Sequence, residues 1–219
     1  MPTQTKEKSM NTVINYPNGE SYSGQVENNK KEGLGIYFYK SGSRYEGQWK
    51  NDKKNGRGIF YFTNQDILVG TWENGVLLGD KILYQFANND EYEGAIKDNT
   101  FHGQGTYRYH NGNVYQGGWQ NGNQHGNGVL FYAEGGKYTG GWANGKREGQ
   151  GALDCGGGNG YVGNWANDKR NGMGRQFYAN GEQYMGEWKD NKKHGRGVYI
   201  YADHTQDEGQ WQNDAKVKN

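Results

Sequence analysis

The chain has 219 residues, a formal net charge of +1 and an apolar share of 32%, against roughly 45–50% apolar in an average globular domain. So small a stock of Leu, Ile and Val excludes a single mixed core, and near-neutral charge excludes bulk steering towards nucleic acid. A mean hydropathy of −1.20 would suit a disordered chain, but 7 Trp and 18 Tyr argue for burial supplied by rings.

Residues 1–13 are polar and lack the apolar core of a signal peptide; they are expected to form a flexible segment ahead of the array. From there a Tyr-x-Gly-x-Trp motif recurs, its glycine falling at Gly24, Gly47, Gly70, Gly94, Gly117, Gly140, Gly163, Gly186 and Gly209. The step is 23 residues throughout except for 24 between Gly70 and Gly94. A Gly-x-Gly mark follows in phase at Gly33/Gly35, Gly56/Gly58, Gly103/Gly105, Gly126/Gly128, Gly149/Gly151, Gly172/Gly174 and Gly195/Gly197. A fixed period of this size specifies stacked supersecondary units, about nine over residues 14–213.

The unit Tyr45–Ile67 shows what one repeat does. Tyr45-Glu46-Gly47-Gln48-Trp49 alternates with period 2, as a strand does. Lys50–Asn55 reads as a turn, Gly58–Phe62 as the second strand, and Thr63–Asp66 as the next turn. Each unit is thus a β-hairpin, and short turns allow successive hairpins only antiparallel neighbours. Asn-Gly, a strong hairpin signal, recurs at Asn18-Gly19, Asn74-Gly75, Asn111-Gly112, Asn121-Gly122, Asn144-Gly145 and Asn180-Gly181. Parity places Tyr45, Gly47 and Trp49 on one face of the first strand, and Gly56, Gly58, Phe60 and Phe62 on one face of the second. Rings lying over bare glycine backbone would supply the cohesion. The expected fold is all-β: an elongated single-layer antiparallel meander of stacked hairpins, a solenoid-like rod of roughly 80 Å at the usual strand spacing.

Residues 66–96 depart from the pattern. Leu68 replaces Tyr, Lys81 the second Gly and Ile96 the Trp, and one residue is inserted near Asn88-Asn89. A bend, bulge or altered twist is expected there. The regular pattern then resumes, and residues 214–219 form a short C-terminal tail. Val26 in place of Trp and Asp207 in place of Tyr mark the end units as caps.

The stretch Tyr115-Gln116-Gly117-Gly118-Trp119, closing on Gly126-Asn127-Gly128, resembles the MORN repeat, as does Tyr184-Met185-Gly186-Glu187-Trp188 with Gly195-Arg196-Gly197. The resemblance spans residues 14–213 and implies an elongated sheet of hairpins. Chains made almost wholly of such units are most similar to radial-spoke head proteins of motile cilia and related cytoskeletal scaffolds. The resemblance therefore implies a non-enzymatic scaffold in a cytoskeletal assembly, the ciliary axoneme in particular, with other axonemal or cytoskeletal proteins as partners. The alternative is a peripheral membrane or phosphoinositide adaptor.

No motif converges on an active site. Gly158-Asn159-Gly160-Tyr161-Val162-Gly163 has the glycine spacing of a dinucleotide loop, but its residues belong to the repeat and no helix follows. His102, His125 and His194 share one position of the unit and are expected to fill turns; copies about 10 Å apart could not share one zinc ion. Cys155, the single cysteine, takes a slot otherwise held by Tyr or Phe and reads as packing; one cysteine fits a reducing compartment. No cofactor, metal, small-molecule substrate or nucleic acid is expected. Two surfaces remain. The aromatic stripe of Tyr45, Trp49, Tyr115, Trp119, Tyr138, Trp142, Tyr184 and Trp188 either contacts a partner or covers glycines and itself. The basic pairs Lys30-Lys31, Lys53-Lys54, Lys169-Arg170 and Lys192-Lys193, with Lys146-Arg147 between, are either solvated turns or an edge that meets anionic lipid or acidic protein tails.

Overall fold

The computed structural model of the chain describes residues 8–218. These residues fall into two compact units that divide between Asn99 and Thr100. All described secondary structure is β-strand.

The first unit contains β1 (Lys8–Asn15), β2 (Ser21–Glu27), β3 (Lys30–Phe38), β4 (Arg44–Lys50), β5 (Lys53–Tyr61), β6 (Ile67–Glu73), β7 (Val76–Leu77), β8 (Ile82–Gln85) and β9 (Glu91–Lys97). Each strand pairs antiparallel with the next, save that β7 and β8 both pair with β6. The second unit contains β10 (Thr100–Arg108), β11 (Val114–Gln120), β12 (Asn123–Phe131), β13 (Lys137–Ala143), β14 (Lys146–Gly156), β15 (Asn159–Ala166), β16 (Lys169–Phe177), β17 (Gln183–Lys189), β18 (Lys192–Ile200), β19 (Gln206–Gln212) and β20 (Ala215–Lys216). It too is a simple antiparallel meander.

Two kinds of turn alternate. Inside a repeat the turn is two residues with both φ positive, as at Asn51 (48°) and Asp52 (68°), the type I′ geometry that suits the strand twist. Between repeats it is a three-residue loop, such as Lys40-Ser41-Gly42, enclosed by Tyr39 N–H to Ser43 O at 3.0 Å and Gly42 N–H to Tyr39 O at 2.9 Å. Asn-Gly serves in both. At Asn74-Gly75 both residues have positive φ, whereas at Asn18-Gly19 only the glycine does.

The strand limits correct the sequence expectation in several places. Lys50–Asn55 is not one long turn: β5 begins at Lys53, directly after Asn51-Asp52. Its extra length is absorbed as a bulge, with Gly47 opposite Gly58 but Trp49 opposite Lys54. The array's first strand begins at Lys8, ahead of the expected boundary at 14, and pairs with β2; the expectation for residues 1–7 lies outside the described residues. At the other end Ala215–Lys216 pairs with β19, so the segment read as a tail contributes a strand.

Each glycine of the Gly-x-Gly mark has its own reason. Gly56 has φ +93°, the left-handed conformation that the bulge requires. Gly58 has ordinary backbone but lies under a ring: a Cβ there would stand 2.5 Å from Cε2 and Cζ of Tyr45. Opposite it, a Cβ on Gly47 would stand 2.6 Å from both Gly58 Cα and Tyr45 Oη. Ring and bare backbone thus occupy one layer, as parity predicts.

The irregular repeat supports the same argument by its exception. Its inter-repeat turn, Phe86–Asp90, has the ordinary length, closed by Phe86 N–H to Asp90 O at 2.9 Å. The inserted residue therefore does not lie near Asn88-Asn89. It lies in the second strand, which is broken into β7 and β8 across Leu78–Lys81. The register Val69↔Leu83 and Ile82↔Gly94 assigns the second-glycine slot to Ile82, not Lys81. Ile82 is only 2% exposed. It fits because the ring that would cover this slot is absent, Leu68 standing in the tyrosine position. One loss of a phenol and one gain of a branched side chain conserve volume.

Candidate functional site

The aromatic face is built as a ladder. In the first unit Trp49 meets Tyr22 and Tyr45 edge-to-face at centroid distances of 5.5 and 5.3 Å, and Tyr45 meets Trp72 at 5.0 Å. In the second, the run Trp119, Tyr115, Trp142, Tyr138, Trp165, Tyr161, Trp188, Tyr184, Trp211 is continuous at 5.1–5.4 Å. In the second unit each polar handle of the ladder is used. Tyr115 Oη donates to Gly118 O at 3.0 Å and Tyr138 Oη to Gly141 O at 3.0 Å. Trp142 Nε1 donates to Gly128 O at 3.4 Å and Trp188 Nε1 to Gly174 O at 3.3 Å, each reaching back to the preceding hairpin.

Burial is the consequence. Tyr45, Tyr115, Tyr138 and Tyr184 are 0% exposed and Trp49, Trp119, Trp142 and Trp188 only 3–7%. The stripe expected as a candidate partner contact is therefore the core. Rings that stack on one another and on glycine backbone seal themselves, with no second sheet needed. Burial keeps their phenols neutral: the Tyr45, Tyr138, Tyr161 and Tyr184 hydroxyls are pushed up to about 12, since a phenolate could not be hydrated there.

The basic pairs split into two roles that sequence parity did not separate. Lys30, Lys53, Lys146, Lys169 and Lys192 are exposed. Their neighbours face the rings, because each lies opposite the tryptophan position or its Val26 equivalent: Val26↔Lys31, Trp49↔Lys54, Trp142↔Arg147, Trp165↔Arg170 and Trp188↔Lys193. Lys31 Nζ lies 5.1–5.8 Å from the ring centres of Tyr16, Tyr22, Tyr37 and Trp49. Lys193 Nζ lies 4.5–5.6 Å from Tyr178, Tyr184, Tyr199 and Trp211. The Arg147 and Arg170 guanidiniums lie 4.3 and 4.2 Å from Trp165 and Trp188. These are cation–π contacts of a partly desolvated kind. Lys31, Lys54, Arg170 and Lys193 thus belong largely to the aromatic layer, and the solvent-facing edge is the exposed set, within which Lys169 pairs with Asp190 at 2.8 Å.

Successive turns are tied together along this edge. Asp52 accepts the Lys31 N–H at 2.8 Å while its own N–H reaches Lys31 O at 3.1 Å. Asp168 does the same for Arg147, and Asp214 for Lys193. Asp168 also holds the Arg147 guanidinium at 3.1 Å. The acids interleaved with the bases are structural counter-ions.

A second lane of rings follows the inter-repeat side. In the first unit Tyr16, Tyr37, Tyr39, Phe60, Phe62, Tyr84 and Phe86 follow one another at 4.7–5.8 Å. They are half-buried, save Phe62 at 36% exposed. In the second unit Leu130, Leu153, Cys155 and Gln176 occupy equivalent positions. Only the sheet register reveals this lane, since its pairs straddle the turns.

Other sequence candidates gain no chemistry. His102, His125 and His194 lie within β10, β12 and β18, not in turns, and no metal-binding group of His, Cys, Asp and Glu occurs among the described residues. Cys155 is exposed, against the packing role expected of it, because a small side chain cannot fill a ring's slot. It borders an open cleft of about 300 Å³ with Arg147 and Arg170. Gly158–Gly163 runs through a hairpin turn into β15, without the helix a dinucleotide loop needs. No helix among the described residues is long and apolar enough to cross a membrane.

The geometry agrees with comparison to known proteins. The MORN repeat matches at residues 22–44, 45–67, 92–114, 115–137, 138–160, 161–183 and 184–206, well over half the chain, and the chain belongs to the MORN-repeat family. Residues 68–91, with the broken strand, fall between matches. The family is a structural repeat module whose members generally mediate protein or membrane-lipid interactions. None of the curated proteins matches the sequence. Among solved structures, the chain is similar to the wild-type TCP10 domain of Danio rerio CPAP, with 12% identity over 95% of this chain and 100% of that one, at a TM-score of 0.53. It is also similar to the G-box domain of the microcephaly protein CPAP, for which a role in centriole elongation was suggested, with 11% identity over 92% and 99% of the chains at 0.51. At these identities the likeness is one of fold.

Proposed function

We propose that the chain is a non-enzymatic scaffold that holds proteins together in a cytoskeletal assembly, with the ciliary axoneme as its setting and a radial-spoke-like role there. The observation that carries the scaffold reading is the use of the repeat's own residues: Tyr, Trp and both glycines are spent on cohesion between hairpins. What the repeats offer outward is an extended surface, which suits binding to other chains. The axonemal setting rests on resemblance to spoke-head proteins. Imaging of the tagged chain in ciliated cells after detergent extraction tests it. Retention along the axoneme is expected, and complete loss with the soluble fraction refutes the cytoskeletal setting.

A second reading is favoured by one observation. Lys30, Lys53, Lys146, Lys169 and Lys192 are exposed, and hydrogen bonds between turns stack them along an edge within each unit. Such an edge could meet an anionic membrane. Flotation with phosphatidylserine vesicles at low salt discriminates: binding lost on charge reversal of Lys53, Lys169 and Lys192 supports the membrane reading, and absence of binding ends it.

A further inference from the structure

The half-buried base opposite each tryptophan position is normally answered by the following turn. Lys31 is met by Asp52, Arg147 by Asp168, Arg170 by Asn191 and Lys193 by Asp214, each bonded to the base's backbone N–H at 2.8–3.0 Å. Where this slot is uncharged, as at Phe101 and Gln124, the answering residue is Gly122 or Gly145. Lys54 breaks the pattern. It is a cation, yet the residue that answers it is Gly75, whose N–H bonds Lys54 O at 2.9 Å and which has no side chain. Lys54 Nζ sits 4.9–5.3 Å from the rings of Tyr39, Tyr45 and Phe60. It forms no ion pair among the described residues. Burial pulls its pKa down with no carboxylate opposing, whereas Asp214 and Glu182 support the Lys193 cation.

The space a counter-ion would fill is open. A cleft of about 280 Å³ is lined by Lys54, Gly75, Tyr39, Trp49 and Asp52. A side chain on Gly75 would meet nothing within 4 Å. The walls also carry Lys31 and Lys53, but Lys31 is paired with Asp52 and Lys53 is exposed, so Lys54 is the half-buried cation left without a counter-ion between aromatic faces. Asp52 in the same wall is already committed to Lys31, at 3.8 Å, and does not answer Lys54. The charge that fits is a single carboxylate, and rings beside it suit apolar neighbours on the same segment.

We propose that this cleft binds a carboxylate side chain carried on an acidic, aromatic-containing segment of a partner protein. The segment supplies the counter-ion that Asp52, Asp168 and Asp214 provide internally elsewhere. The site rests on the scaffold reading only in calling for a protein partner. Its test involves no cellular location, so failure of the axonemal setting would leave it standing.

The experiment uses the full chain and follows the tryptophan indole N–H signals by NMR during titration with acetyl-Phe-Glu-Phe-amide. The Phe-Gln-Phe counterpart and inorganic phosphate serve as comparison ligands at constant ionic strength. The Glu peptide is expected to shift the Trp49 signal saturably and leave Trp119 in place, with the Gln peptide at least tenfold weaker (about 1.4 kcal/mol per tenfold). Gly75→Asp should fill the site from within and weaken the Glu peptide at least tenfold. Asp is suited to that turn position, since Asp52, Asp168 and Asp214 hold φ of 67–70° there. Gly75→Asn, which lacks the charge, should stay within threefold of the unaltered chain. Equal binding of the Glu and Gln peptides, undiminished binding by Gly75→Asp, equal movement of Trp119, no saturable shift, or a stronger response to phosphate would each overturn the proposal.

Discussion

Gly128→Ala measures how tightly ring and backbone share one layer. The new methyl would stand 2.6 Å from Cε2 and Cζ of Tyr115, where carbon atoms rest at about 3.5–4.0 Å. The ring must withdraw by about 1 Å to restore contact. That movement breaks the Tyr115 hydroxyl bond to Gly118 O, 3.0 Å long, and disturbs ring pairs with Trp119 and Trp142 at 5.3 and 5.1 Å. Overpacking of this kind costs about 1–3 kcal/mol, the hydrogen bond about 1 kcal/mol and the ring pairs about 0.5–1.5 kcal/mol each. These contributions span about 3–7 kcal/mol, and since the ring pairs are disturbed and not abolished, a loss near the lower end, about 3–4 kcal/mol, is expected in urea unfolding followed by tryptophan fluorescence. Gly126→Ala is the control. Nothing lies within 4 Å of its Cβ, and only its φ of +70° opposes a side chain, at about 1–2 kcal/mol. The decisive variant is Tyr115→Leu with Gly128→Ile, which copies Leu68 with Ile82. It should cost at least about 2 kcal/mol less than the sum of its single changes. Additivity of the two changes within about 0.5 kcal/mol, or equal costs for the two alanine variants, would refute the shared-layer account.

Gly117→Val, whose Cβ meets Gly128 Cα at 2.5 Å and Tyr115 Oη at 2.7 Å, should lower the melting temperature several times more than Glu46→Ala, at an exposed position; equal shifts would refute the assignment of faces. Trp188→Phe removes the donor to Gly174 O and should cost about 2 kcal/mol, while Tyr201→Phe, at a residue 40% exposed, should leave thermal stability unchanged. Raising pH should also unfold the protein cooperatively. Tyr22, Tyr45, Tyr138, Tyr161 and Tyr184 hold their protons to about 12 when folded, against about 10 in an unfolded chain. The native state thus binds more protons between those values, so stability is whole below about pH 10 and falls as pH rises through 10 towards 12. Phenolate absorbance should appear together with loss of near-ultraviolet circular dichroism. Titration of all tyrosines near 10 with the fold intact would contradict their burial.

The repeat made the local structure legible. Tyr45, Gly47 and Trp49 share a face because side chains alternate along a strand, and nine phased copies of the motif glycine require those faces to align. The strand type, the hairpins and the Gly–aromatic layer follow from composition and period alone. What the sequence determined is therefore the strand alternation, the hairpin pairing and the ring-over-glycine layer, each of which depends only on period and parity.

What the tertiary structure decided was set by register. Whether Lys53 or Lys54 faces the rings depends on a bulge that brings Lys54 opposite Trp49, and no count along the chain states where a bulge falls. The inserted residue of the third repeat is likewise invisible to spacing, which locates it only between two glycines; hydrogen bonds place it at Leu78–Lys81 and not in the turn. Exposure of the aromatic stripe was open for the same reason. Rings at fixed intervals could stand in solvent or close on one another, and only their edge-to-face distances show that they close. Lys54 and Gly75 lie far enough apart in sequence to carry no mutual signal, and stacking of successive turns makes one the unanswered partner of the other.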